Sequence, residues 1–401
     1  MRYKYSSGKD GRPVKKAEIY SREEHGIDPA RVDSDAAGIV RRLRDAGYEA
    51  YIVGGAVRDL ILGKKPKDFD IATNASPMQI RRLFRNSRVI GRRFKLAHVY
   101  FGHVIYEVST FRAITDGHDG NVFGTIEDDV MRRDFTMNAL FYDPEKRSVV
   151  DYVGGMKDIR AKRVRAIIPL ATIFTEDPVR MIRAVKYGAT TGFSLPLLLK
   201  WKIKKQASLL SSVSPSRLTE EMLKIVNSSY ASQIVDALES AGLYAYLQPG
   251  AARLMRTSPS FRERYLRSLA ALNDKEYRGR PGEAVGALIS DFLEDTTDLK
   301  LGANENYKAT YAAARSFVLP INPPRFELDH AVRRFFSNHG MQVRKARLMD
   351  RPSQKAPPSS KPSSSASQKT APKTLSENPA TQEGAPRPKR RRRRPKPKTS
   401  E

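Results

Sequence analysis

The chain has 401 residues, a formal net charge of +28 and no cysteine. That length allows two or three domains with a sizeable core, and the lack of cysteine excludes disulfides, zinc–thiolate centres and cysteine nucleophiles. No apolar run approaches a membrane span and Met1–Lys16 lacks a signal-peptide core, so the sequence reads as a cytoplasmic protein in which nothing forces an oligomer and a monomer is expected.

Charge is excessive throughout. Arg351–Glu401 carries 14 Lys and Arg against 3 Glu, a balance of +11, which leaves 28 − 11 = +17 on the first 350 residues. A basic body with a basic tail favours a polyanionic partner, nucleic acid ahead of a merely solvated surface.

Residues 1–27 are polar and basic with no apolar periodicity and read as a flexible arm. Ala36, Ile39, Val40 and Leu43 recur at helical spacing before Gly47, predicting an amphipathic helix over Asp33–Asp45 and then a strand over Glu49–Val53. Gly54-Gly55 joins that strand to a helix over Ala56–Leu62. Two glycines at a strand-to-helix turn are either a tight turn or a place where backbone N–H groups meet a phosphate.

The stretch Lys67-Asp68-Phe69-Asp70-Ile71 follows. If Asp68–Ile71 is a strand, both carboxylates share one face, and keeping both ionised calls for a counter-charge such as a divalent metal. Ser76-Pro77 opens a helix through Phe84, and Gly102-His103 divides two strand-like runs, Lys95–Phe101 and Val104–Phe111. Glu107, inside the second run among Val104, Ile105, Tyr106 and Val108, is costly to bury unless paired or metal-bound and reads as a third carboxylate, the alternative being an exposed strand residue. His98, His103 and His118 read as structural or solvent-facing rather than as metal ligands.

Asp116–Gly124 reads as a mobile loop. Thr125 and Asp128 form a capping pair for a helix over Ile126–Phe141 with Arg132, Arg133 and Asp134 at its middle, either a surface ion pair or the holder of a nucleotide's sugar and triphosphate. Asp151–Met156 reads as a hinge-like turn. A helix from Thr175–Pro178 places Glu176 and Asp177 in its first turn with Arg180 three residues beyond, either a cap with an intrahelical ion pair or an acceptor and donor for a base edge. Helical patterns follow, including Leu218, Met222 and Ile225 after Ser214-Pro215. From about Asp350 the chain is Pro-, Ser- and Lys-rich, has no aromatic residue and reaches the run Arg390, Arg391, Arg392, Arg393 and Arg394. It reads as a disordered tail that binds RNA through phosphate contacts or serves solubility or localisation.

Taken in order, Gly54–Asp59, Asp68-Phe69-Asp70, Glu107–Arg112, Arg132–Leu140, Asp151–Gly155 and Glu176–Arg180 resemble the motifs of the polymerase-β-like nucleotidyltransferases. Within that superfamily they are similar to the class of bacterial poly(A) polymerases and CCA-adding tRNA nucleotidyltransferases. The resemblance implies an α+β fold: a nucleotidyltransferase head with a mixed sheet over 28–165, a helical neck over 166–230, a helical body over 231–349 and a tail over 350–401. It implies that Asp68 and Asp70 hold two Mg2+ ions, with Glu107 and Asp134 as further catalytic acids. Gly54, Gly55 and Arg58 would bind the triphosphate, Arg133 and Asp134 the nucleotide and its ribose, and Asp177 and Arg180 the base.

The stretch Val89–Val99 resembles the pattern of poly(A) polymerases, and the Arg-rich tail suits an enzyme extending many RNAs. The expected activity is AMP transfer from ATP to RNA 3′ ends in RNA polyadenylation and decay, with RNA-decay proteins as possible partners. CCA addition to tRNA is the alternative, and an inactive RNA-binding protein on the same fold the second.

Overall fold

The computed structural model describes residues 2–7, 13–91, 96–113, 123–273 and 282–343. The expectations for Arg92–Lys95, the loop before Phe123 and the tail with Arg390–Arg394 lie outside the described residues.

The amino-terminal part is built on strands β1 (Arg2–Ser7), β2 (Pro13–Tyr20), β3 (Ala50–Val53), β4 (Asp70–Thr73), β5 (Ser87–Ile90), β6 (Leu96–Phe101), β7 (Val104–Thr110), β8 (Leu140–Asp143) and β9 (Ser148–Asp151). They form one sheet in the order β1-β2-β9-β8-β3-β4-β7-β6-β5. It is mixed: β4 and β7 run parallel, the other pairs antiparallel. Between the strands lie helices α1 (Arg22–His25), α2 (Ser34–Asp45), α3 (Gly55–Ile61), α4 (Pro77–Leu83), α5 (Ile126–Met131) and, after β9, α6 (Gly155–Arg160).

The chain from Ile173 on is helical: α7 (Ile173–Glu176), α8 (Val179–Thr191), α9 (Leu197–Gln206), α10 (Pro215–Val226), α11 (Ala231–Ser240), α12 (Tyr244–Leu247), α13 (Pro249–Thr257), α14 (Pro259–Ala271), α15 (Glu283–Thr296), α16 (Ala303–Phe317) and α17 (Arg325–Asn338). The expected α+β class is observed. Local signals explain much of it. Ala36, Ile39, Val40 and Leu43 of α2 are buried, as their helical spacing requires. Ser76 and Gln79 cap α4 reciprocally, and Thr125 and Asp128 cap α5.

Five expectations are corrected. Residues 1–27 are not an unstructured arm, because β2 pairs with β9 from Glu18↔Asp151 to Tyr20↔Val149. A sheet edge is held by backbone hydrogen bonds and needs few apolar side chains. Here Ala17 and Tyr20 are buried, while Lys15 (2.8 Å), Tyr20 (2.5 Å) and Lys157 (2.9 Å) all donate to the Glu18 carboxylate. Burial alone would raise the Glu18 pKa, but those hydrogen bonds outweigh it and hold it at about 2. Second, β4 starts at Asp70, so Asp68 lies on the approach to the strand.

Third, α5 ends at Met131. Asp129 accepts from both Arg132 and Arg133 and closes the turn, and the apolar run Leu140-Phe141-Tyr142 enters the sheet as β8, fully buried. Fourth, the helix placed at Thr175–Pro178 is two helices. Asp177 takes an extended conformation between them, because the residue before a proline is driven out of the helical region. The Asp151 turn is also fixed rather than hinge-like: its carboxylate accepts from the N–H groups of Val153, Gly154, Gly155 and Met156 at 2.8–3.1 Å. Gly155 packs so closely that a Cβ would overlap the Thr136 carbonyl.

Candidate active site

Strand register builds the acidic face. Ile71 and Val108 pair across the parallel β4–β7 ladder, so one step back Asp70 stands abreast of Glu107, and their side chains share a face. Glu107 in turn opposes His98 on β6, whose Nε2 lies 3.6 Å from its Oε1. Tyr106 and Val108 point into the core while Ile105 and Glu107 are exposed. Of the two readings of Glu107, third carboxylate or exposed strand residue, alternation puts it on the open face, where a carboxylate is well solvated and stands beside Asp70.

Asp68 and Asp70 carry no hydrogen bond or ion pair among the described residues. One side of Asp70 is open to solvent, and its inner side is packed. Burial, then the charge of Glu107, push its carboxyl up from 3.8 to about 6; Arg133 lowers it and Asp68 adds a smaller rise. An acid kept from ionising by its surroundings and its acidic neighbours is an electrostatic vacancy for a cation. Among the described residues no three His, Asp or Glu side chains converge as a closed metal cage. Magnesium, however, is commonly held by one or two carboxylates with phosphate oxygens completing its shell, and the unpartnered oxygens of Asp68 and Asp70 fit that chemistry.

The turn after β3 meets this face directly. Gly54 has φ 72°, the left-handed region that favours glycine. A Cβ on it would sit 3.7 Å from Arg133 Nη1 and 3.9 Å from Asp70 Oδ2. Arg133 is held by Asp129, with Nε at 3.1 Å and Nη2 at 2.9 Å, and Nη1 donates to the Asn138 carbonyl at 3.1 Å. Burial disfavours the Asp129 anion, but Arg133 and Arg132 outweigh it and hold the carboxyl below its usual range. Arg58 donates to Asn138 Oδ1 at 2.7 Å and to Asp59 at 2.9 Å, and lies over the Tyr187 ring. Asn138 Nδ2 is buried without a partner. Arg58 and Arg133 are thus joined through Asn138, and Arg133 and Asp70 border the Gly54 turn.

The remaining candidates lie elsewhere. Asp134 is buried; its Oδ1 accepts from the Phe135 N–H at 2.8 Å and its Oδ2 lies 2.9 Å from Arg183 Nη2 of α8. This ion pair ties the head to α8. The expected Asp177–Arg180 ion pair is not formed. Arg180 Nη1 pairs with Glu176 Oε2 at 3.0 Å, one helical turn away, and Asp177 accepts from Arg217 Nη2 of α10 at 3.0 and 2.9 Å. Sequence reading missed Asp129, Asn138, Arg183 and Arg217. Asp129 and Asn138 flank the Arg-Arg-Asp motif and could have been found there. Nothing local marks Arg183 or Arg217, whose partners are distant in sequence.

Comparison with known proteins agrees with this geometry. Residues 50–165 match the family model of the poly A polymerase head domain, and residues 192–255 that of a probable RNA and SrmB-binding site of polymerase A. Poly(A) polymerase I of Escherichia coli O6:H1 is 45% identical over 251 residues, 59% of this chain and 54% of that protein; the chain thus spans about half the length of such relatives. Poly(A) polymerase I of Haemophilus influenzae is 41% identical over 317 residues, 74% of this chain and 70% of that one. Among solved structures, the Bacillus stearothermophilus CCA-adding enzyme in complex with CTP aligns with a TM-score of 0.52 and 28% identity over 77% of this chain and 83% of that one. Together with the shared sheet and motifs, these matches establish that the chain belongs to the family of bacterial poly(A) polymerases and tRNA nucleotidyltransferases.

Proposed function

We propose that the chain adds AMP from ATP to RNA 3′ ends without a template, in RNA polyadenylation and decay in the cytoplasm. The carrying observation is the pair of unpartnered acids, Asp68 and Asp70, beside a glycine turn and a fixed arginine. In this reading residues 28–165 are the catalytic head, 166–230 and 231–349 the neck and body that hold RNA, and 350–401, with Arg390–Arg394, a phosphate-binding tail.

Asp68 and Asp70 hold Mg2+, with Glu107 as the flanking acid. Magnesium, when bound there, would neutralise phosphate charge and polarise the attacking and leaving oxygens. Gly54 and Gly55 let the triphosphate approach the backbone, and Arg58 and Arg133, preset by Asn138 and Asp129, balance its charge. The RNA 3′-oxygen bonds to the α-phosphorus as its bond to the bridging oxygen breaks; pyrophosphate departs and the hydroxyl proton passes to solvent. Asp134 orients the nucleotide side of the head through Arg183, and Asp177 and Arg180 address the base edge, positioned by Arg217 and Glu176. Two preset charged groups aimed at a base can exclude a nucleotide with the wrong donor and acceptor pattern.

CCA addition is the second reading, supported by the likeness to the CTP-bound CCA-adding enzyme. An inactive RNA-binding protein is a third, and the retained unpaired acids speak against it. The test offers the full chain an unstructured RNA and a tRNA lacking its 3′ terminus, each with ATP or CTP and Mg2+. Long ATP-dependent extension of the unstructured RNA is expected; CTP then ATP addition that stops on tRNA would replace the proposal with the second reading.

A further inference from the structure

Helix α9 presents a surface that its own fold does not use. Leu199 and Ile203 anchor it in the core, but Leu197 is 83% exposed, Leu198 61% and Trp201 55%. Residues three and four apart on a helix are neighbours, so Trp201 sits between Leu197 and Leu198 on one side and Lys204 and Lys205 on the other. Lys205 Nζ lies 4.9 Å from the Trp201 ring centre. Lys200, Lys202, Lys204 and Lys205 form no ion pair among the described residues. The cations on either side of the helix, Arg180, Arg183, Lys186 and Arg217, are each paired with an acid, so the uncompensated charge is that of the α9 lysines themselves.

We propose that α9 is a stacking platform for single-stranded RNA, with a base on the Trp201 ring and Lys200, Lys204 and Lys205 on the adjoining phosphates. The charge decides the occupant. A half-exposed aromatic ring within a field of uncompensated lysines is the combination that binds single strands without sequence preference. The leucines extend the apolar floor on which the base lies. The inference deepens the RNA-transferase reading and rests on its RNA partner, and it assigns that partner a particular ring and particular cations.

Trp201 is the single tryptophan of the chain, so tryptophan emission reports this surface alone. The full chain, without nucleotide or divalent cation, is titrated with a labelled single-stranded oligoadenylate while emission and anisotropy are read together. Emission is quenched in step with the anisotropy rise, and salt reverses both. Trp201→Ala weakens binding about tenfold, whereas Trp201→Phe, which keeps a stacking face, stays near the parent. Replacing the three lysines with Gln lowers the salt slope by about 2.

RNA binding that leaves the emission unchanged, or full affinity in Trp201→Ala, would overturn the platform. So would a blue shift with phosphatidylglycerol vesicles and none with RNA, which would assign the patch to a lipid surface. No nucleotide is transferred in this assay: a chain that binds RNA this way yet incorporates no AMP would defeat the catalytic reading and leave the platform standing.

Discussion

The acidic face of the head and the charged residues of the neck differ in how their charges are answered. At the start of β4, burial and the charges of Glu107 and Asp68 work against the Asp70 anion, and Arg133 offsets them only in part. In the neck, Arg183 answers Asp134, Arg217 answers Asp177 and Glu176 answers Arg180. Unanswered charge is unstable unless a ligand completes it, whereas answered charge holds a shape. Asp68 and Asp70 are therefore left for something that comes and goes, whereas the ion pairs of Asp134, Asp177 and Arg180 fix the direction of groups that must be in place beforehand.

The comparison can be broken most forcefully at Asp70. Asp70→Ala lowers AMP incorporation on the order of a thousandfold or more, since a metal-binding carboxylate supplies several kcal/mol of transition-state charge stabilisation. The fold is kept and, without metal at neutral pH, thermal unfolding shifts upward if at all, because among the described residues no hydrogen bond or ion pair depends on that side chain and its ionised form is disfavoured by its surroundings; activity retained with Mg2+ would refute the assignment. The neck is tested at Arg217. Arg217→Ala frees Asp177 and lowers the preference for ATP over CTP about tenfold, as expected for one charged hydrogen bond, read as the ratio of kcat/KM for the two nucleotides. An unchanged ratio would mean that Asp177 needs no holder.

The gentlest test is titration. In metal-free protein the Asp70 carboxyl titrates near 6 rather than 3.8. Because the folded value is raised, the native state binds the extra proton, and this group lowers stability as pH rises from about 3.8 through about 6. Glu107→Gln removes one of the charges responsible and lowers the midpoint, and Mg2+ lowers it further; carboxyl-carbon NMR reads both shifts. A midpoint that ignores Mg2+ would show that no cation meets Asp70.

What the sequence disclosed was chemistry carried by neighbours. The capping pairs at Ser76 and Thr125, the apolar stripe of α2 and the Gly54-Gly55 turn are decided within four residues, and the structure has each of them. Glu107 shows the limit of such reasoning. Its apolar neighbours suggested burial, but which face of β7 is open depends on what packs over the sheet, and that is not written in the strand. Arg217 answers Asp177 from 40 residues away, and β2 finds β9 across most of the head. Those pairings are settled by the whole fold, beyond the reach of a local pattern.

The docking of β2 onto β9 also has a consequence for how the chain comes into being. Glu18 waits for Lys157, 139 positions later, and for the strand ending at Asp151. During synthesis the first-made pair of strands, β1 and β2, is therefore among the last to join the rest of the sheet, since a distant partner must be translated first. A nascent head cut short before Ser148 would leave β2 paired with β1 alone, without the β9 edge that joins it to the rest of the sheet. Closure of that seam marks the moment at which the ribosome has delivered the last strand of this sheet.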